Sequence, residues 1–300
     1  MRSSPWRETD YRRAVIVGTN GSIFRLLLWQ WRAVVLFAVS GTAIAVAHHF
    51  VPWLKMPSMP VAVVGGALGI FVSFRTNAAY ARWWEGRQLW GRLINNSRMF
   101  ATQVFAYVPD KQRLLIERHI LYVHVLRCLL REQDPWADVD VQRFAGDFPR
   151  RAESNLTHAI LHEQHMEVAR QLEHHKLDAL DRTFAQLLDV QGGCERIKRT
   201  PMPRIYGMFS EQLIKAYGFL FPLSIIADMG WATIPINVLV CTAFMMISEV
   251  GRVLEDPFTM FFNGLPLSAL SRTIENNLRQ RLGDTNLEPM LQPDNRGVLM

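Results

Sequence analysis

Four stretches of the chain carry almost no charge, and they fall in two pairs on either side of a long polar middle. Residues 33–47 have none and extend back through 24–31, with Arg25 and Arg32 near that end; residues 56–74 follow; residues 216–227 reach full length only with 205–214 before them; residues 229–248 are again free of charge. A helix needs about 20 predominantly apolar residues to cross the hydrocarbon of a bilayer. The pattern therefore predicts membrane-spanning helices at about 24–49, 56–75, 208–228 and 229–249. The first is too long for a signal peptide and has no small-residue cleavage site. Between the pairs, apolar residues recur at helical spacing with charges between them over 111–133, 154–175 and 177–194. That period marks helices, and the "DPW" at 134–136 and "GDFP" at 146–149 mark turns. No strand-like alternation persists, so an all-α membrane protein is expected, with a helical module over about 76–205 and a further helix and tail over 250–300.

Charge then sets a direction. Six arginines stand in the first 32 residues, and Arg75, Arg82, Arg87, Arg92 and Arg98 follow the second span, while the two short connections hold Lys55 alone. Lys and Arg accumulate on the cytoplasmic side, which places both termini and the helical module inside. Trp53 and Trp231 in the outer hairpins, and Trp29 and Trp31 near the inner end of the first span, suit interfacial anchors. The net charge of +6 would also suit nucleic acid, but no nucleic-acid or phosphate-binding motif is present. Three scattered cysteines without a CxxC pair argue against a disulfide framework or a thiolate metal site.

His158, His162 and His165 share one helix face and are the candidate metal ligands. A solvated polar face of a His-rich helix is the favoured reading, and no metal or cofactor is expected. Glu255 and Asp256 in "LEDPF" stand alone, without the run of carboxylates a calcium loop needs. In the second span Ala62, Gly66, Ile70 and Phe74 lie four apart and form one stripe, which reads either as a bundle face or as an apolar constriction. Gly65, Gly66 and Gly69 suit close helix packing as well. In "RTPMPRIY" (199–206) two prolines bracket Met202 and stiffen its backbone.

Four motifs in order, "SFRTNAAYARWWEGRQLWGRL", "GCERIKRTPMPRIY", "LEDPF" and "GLPL", resemble those of the bacterial and plastid branch of the bestrophin ion channels. The similarity covers nearly the whole chain, read as one channel unit over 1–300. The resemblance implies a homopentamer with one central pore, four membrane helices per subunit and a helical cytosolic vestibule. It implies a neck ringed by Gly66, Ile70 and Phe74 and a cytosolic aperture at Met202. Relatives tend to carry a bulky apolar residue at the position of Gly66 and an aromatic at that of Arg204. Calcium activation does not carry over, because the acidic run is missing. The expected function is passive conduction of small monovalent ions, with membrane lipids and copies of the same chain as partners. Lys198, Arg199 and Arg204 flank the aperture and favour anions such as chloride. A sodium-permeable channel of the same fold is the alternative, and a His-rich metal sensor or enzyme a second one. A secondary transporter fits less well, since the two halves do not resemble each other and the spans lack central ionisable residues.

Overall fold

The computed structural model describes residues 30–55, 57–150, 153–260 and 263–293. The expected first span reaches back to 24, so its first residues lie outside the described ones, as do Trp29 and most of the amino-terminal arginines. Among the described residues every regular element is helical. In chain order these are α1 (Trp31–Phe50), α2 (Ser58–Tyr107), α3 (Gln112–Leu130), α4 (Val139–Ala145), α5 (Leu156–Ala169), α6 (His174–Arg199), α7 (Arg204–Met229), α8 (Thr233–Leu254) and α9 (Leu267–Arg281), with single 3-10 turns at Pro109–Lys111, Pro135–Ala137 and Gly230–Ala232. They divide into an apolar unit made of residues 19–83 and 201–255 and a polar unit made of 1–18, 84–200 and 256–300, as far as these are described. Among the described residues three stretches are long and apolar enough to cross a membrane: Trp31–Phe50, Pro60–Tyr107 and Ile205–Leu254. The last is broken at Gly230, whose φ of +53° is left-handed and suits glycine. Beyond that break α8 turns back and packs along α7.

In the apolar unit α1, α7 and α8 pack pairwise, and α2 lays Val61, Leu68 and Val72 on a core with Phe37, Ile214, Tyr217 and Cys241. Lipid tails are as apolar as leucine, so close packing and internal hydrogen bonds must hold such helices together. Glycines supply the close approach: a Cβ on Gly218 would lie 2.4 Å from the Phe37 ring, and one on Gly65 2.6 Å from the Tyr217 hydroxyl. Pro222 lies inside α7. Having no N–H, it leaves the carbonyl of Gly218, four residues earlier, without its helical partner. Two side chains from other helices replace that bond. Ser40 Oγ donates to Gly218 O at 3.1 Å, and Asn237 Nδ2 donates to the same oxygen at 3.2 Å and to Phe37 O at 2.9 Å. Backbone freed by proline at membrane depth is tolerated only when neighbours satisfy it in this way.

The polar unit is built round α3, thirteen of whose nineteen residues are buried. α4, α5, α6 and α9 surround it. The sequence pattern suggested an amphipathic helix, but His119, His124 and Arg127 are buried as well. Each has a partner on another element: His119 Nε2 meets Ser97 Oγ, His124 Nε2 meets Glu275, and Arg127 donates to Asp138 and Ser268. Glu275, fully buried, takes His124 Nε2 at 3.1 Å and faces Arg143 at 3.4 Å, Arg279 at 3.5 Å and Arg272 at 3.6 Å. Burial alone would push its carboxyl up, but the His124 hydrogen bond and the guanidinium charges of Arg272 and Arg143 outweigh this and hold it below its ordinary value. The break between α5 and α6 falls at residues 170–173, ahead of the expected boundary, because Glu173 is extended and α6 begins at His174. Within the basic, aromatic stretch that follows Arg75, the aromatic side chains take different environments. Trp90 is wholly buried in the polar unit, whereas Tyr80 and Trp84 remain about half exposed, at 52% and 47%.

Candidate functional site

α2 carries two stripes. Val61, Gly65, Leu68, Val72, Arg75 and Ala79 are buried, at the three- and four-residue spacing of one helix face. Ala62, Gly66, Ile70 and Phe74 lie on another face and are exposed. Ile70 is 61% and Phe74 70% exposed, and nothing lies within 4 Å of a Cβ added to Gly66. An apolar residue on the open face of such a helix meets lipid, another subunit or a lumen. The sequence stripe is thus one continuous exposed surface, and Gly66 leaves open space within it.

The base of this face is anchored by a buried charge. Arg75, 4% exposed, donates to Ser248 Oγ at 2.9 Å and to Glu255 Oε1 at 2.7 Å. Arg82 Nε donates to the Glu255 backbone carbonyl at 2.6 Å. Gly207 lets the Arg75 guanidinium approach α7: a Cβ there would sit 3.1 Å from Nη2. Reading Glu255 and Asp256 as isolated acids missed this role. Glu255 is the counter-charge of an arginine at the end of an apolar span, a signal visible in the sequence only as one unmatched acid and one unmatched base.

The loop bearing Met202 follows α6, whose C-cap is Thr200, and precedes α7, whose N-cap Pro203 is extended (φ −56°, ψ 121°). Met202 is half-buried. The flanking cations differ in kind. Lys198 Nζ lies 2.9 Å from Glu132 and 2.8 Å from Asp256. Burial would lower its pKa, but the two carboxylates dominate and raise it. Its charge is therefore more than matched locally. Glu132 reaches it from a left-handed backbone (φ +58°), the only non-glycine positive φ among the described residues. The conformation costs about 1 kcal/mol relative to glycine. Arg199 is exposed and only 3.9 Å from Glu195, beyond hydrogen-bonding distance. Of Arg204 only the backbone is described; α7 begins at it.

The three candidate metal ligands do not converge. His158 and His162 are exposed with ring centroids 6.3 Å apart, while His165 turns away to Asp181 at 2.7 Å and packs edge-on to Phe184. Among the described residues no group of three metal-binding side chains forms. The reading of these helices as a metal sensor or enzyme has no support in the geometry.

The profile of the family described as Bacterial/Fungal Bestrophin protein matches residues 5–280. A voltage-dependent anion channel-forming protein of Ralstonia nicotianae is 32% identical over 286 residues, covering 88% of this chain and 93% of its own. The protein of the same description from Escherichia coli K12, YneE, is 30% identical over 292 residues, covering 89% and 94%. The crystal structure of a point variant of a bacterial bestrophin homologue from Klebsiella pneumoniae superposes with a TM-score of 0.79 at 27% identity, covering 88% of this chain and 99% of that one. The chain belongs to the bacterial bestrophin family, and is an ion channel of the membrane rather than an enzyme.

Proposed function

We propose that this chain is one subunit of a homopentamer that conducts small monovalent ions passively through a central pore, with anions such as chloride favoured. The observation that carries the reading is the exposed stripe of Gly66, Ile70 and Phe74, set against a buried stripe on the same helix. A five-fold ring of such helices closes by a heterologous contact and puts apolar rings around the axis. Rings of this kind cannot replace an ion's hydration shell, so they control flow through width and wetting. The spans run at about 24–49, 56–75, 208–228 and 229–249, with a cytosolic module at about 76–205 joined by 250–300, both termini in the cytoplasm of a bacterium and lipid around the outside. The pairing of α7 with α8 supports two antiparallel passes there. Met202 forms the cytosolic aperture. Of its flanking cations, Arg199 and Arg204 carry the anion preference, since Lys198 is matched by Glu132 and Asp256. The naming of the Ralstonia and Escherichia relatives as anion channel-forming supports the same sign. Planar-bilayer recording of the purified protein in asymmetric NaCl tests it. A reversal potential on the chloride side is expected; one at the sodium value gives the cation channel instead, and absence of current from the intact oligomer removes the pore.

A further inference from the structure

A cavity of about 180 Å³ lies at the last turn of α6, and of its lining only Arg199 has a part in the proposed conduction mechanism. One wall is Leu126, Leu129 and Leu130 from α3; the other end is polar and includes Asn155, Glu195 and Arg199. Leu129 is 40% exposed. The polar end is arranged in advance. Glu195 Oε1 accepts from Gln191 Nε2 at 2.7 Å and from Asn155 Nδ2 at 3.2 Å. The Asn155 oxygen is itself occupied by Thr157 Oγ1, Gln191 Nε2 and the His158 N–H. Its amide therefore has one orientation. Oε2 is poorly served, with Asn155 at 3.5 Å and Arg199 at 3.9 Å. A carboxylate has room for about four donors, and this one, with 23% of its side chain exposed, is held by neutral amides. Lys198, the other cation of the lining, is taken by Glu132 and Asp256. The result is a fixed carboxylate with an open oxygen at the mouth of a leucine-walled space.

We propose that this cavity binds a small primary alkylammonium, its head on Glu195 Oε2 and its chain along Leu126, Leu129 and Leu130. The volume sets the size. It is below the roughly 300 Å³ at which drug-sized pockets begin, and holds about six heavy atoms at the roughly 30 Å³ each that water occupies in the liquid. A chain of about five carbons and one nitrogen fills it. The ammonium competes with the long contact from Arg199, three residues before Met202, and so frees that guanidinium. The consequence for ion flow rests on the proposed pore; the binding itself does not.

The test is calorimetric titration of the purified full-length protein with n-pentylamine hydrochloride, compared with n-pentanol and methylamine. Saturable binding of pentylamine is expected, with both controls at least tenfold weaker, because each lacks one half of the recognition. Glu195→Gln keeps an oxygen for the two amides but removes the charge, and should weaken binding at least tenfold. Leu129→Ser alters a partly exposed wall residue and should weaken it as well. Saturable pentylamine binding that Glu195→Gln leaves unchanged, pentanol binding as tightly as the amine, or no saturable heat at tens of millimolar would each overturn the proposal. Should Glu195→Gln fail to fold, unchanged affinity in Leu129→Ser overturns it alone. Because the readout is binding, a channel that proves not to conduct leaves the result intact.

Discussion

At the scale of single residues, two adjacent glycines on α2 do opposite things. Gly65 faces Tyr217, and an added Cβ would meet its hydroxyl at 2.6 Å, while around Gly66 there is open space. Neighbours on a helix are about 100° apart, so one faces the bundle and the other the exposed stripe. Gly66→Ile should assemble normally, add a third apolar ring to the proposed neck and lower single-channel conductance. Gly65→Ile should instead cost about 1–3 kcal/mol by overpacking and reduce the yield of intact oligomer on size-exclusion chromatography. Parent-like conductance in an assembled Gly66→Ile channel would put the lumen on another face of α2. A second residue-scale expectation concerns His119, wholly buried with its Nε2 at 2.9 Å from Ser97 Oγ. Burial pushes its pKa down to about 3, against a smaller opposing contribution from Gln164. The folded state thus holds the ring neutral, while the unfolded chain takes up a proton below about 6.5. The stabilisation is complete above that pH and is lost as pH falls from there toward 3, by about 1.4 kcal/mol per unit. Thermal unfolding between about pH 7.5 and 5 should show a melting temperature that falls with pH, less steeply in His119→Gln. Identical slopes would show that other groups carry the acid sensitivity.

At the scale of elements, the uncharged runs and helical periods of the sequence account for most of the helices, since both follow from local composition. The unbroken length of α2, Ser58–Tyr107, is legible in the same way: no proline interrupts the passage from the apolar run into the basic, aromatic one. What was not legible depends on partners distant in the chain. Nothing near Arg127 announces that it is buried, because Asp138 at 2.6 Å and Ser268 at 3.3 Å, which make burial tolerable, lie on other elements. Lys198 reads as a free cation until the fold brings Glu132 and Asp256 to it. The His158, His162 and His165 face reads as a ligand set until Asp181 takes one member. Asn237 gave a fainter signal, a lone amide in an uncharged span, and its meaning required Pro222 on the facing helix. That pairing can be measured. Asn237→Ala should cost about 1–2 kcal/mol by leaving buried carbonyls unmet. In a Pro222→Ala background the restored N–H can take the Gly218 carbonyl, so the same change should cost about 0.5–1 kcal/mol less. Equal costs in both backgrounds, in a detergent unfolding cycle, would mean that Asn237 serves Phe37 O and packing rather than the proline gap.

At the scale of the whole molecule, any ring of identical subunits multiplies each lumen charge by the number of copies, and small local choices become selectivity. The chain is basic overall, at +6, yet several of its buried and half-buried cations are matched by acids: Arg75 by Glu255, Lys198 by Asp256 and Glu132, Arg127 by Asp138. Selection by sign must then come from cations left over where the path is narrow, and on the proposed reading these are Arg199 and Arg204. Arg204 opens α7 two residues beyond Met202, after a proline-stiffened turn. A unit charge about 8 Å from a passing ion contributes about 0.5 kcal/mol in water, cut to about a third by one Debye length of physiological salt. Five copies reversed in sign by Arg204→Glu still change the preference by about 2 kcal/mol, more than tenfold in relative permeability. The reversal potential in a NaCl gradient should therefore move from the chloride toward the sodium value, and the shift should shrink as salt is raised, because screening grows. Arg199→Glu, beside the partly exposed Glu195, should move it in the same direction. A reversal potential that holds its place in both variants, in channels of unchanged oligomeric size, would mean that neither arginine faces the conducting path and that the sign of the transported ion is chosen elsewhere along it.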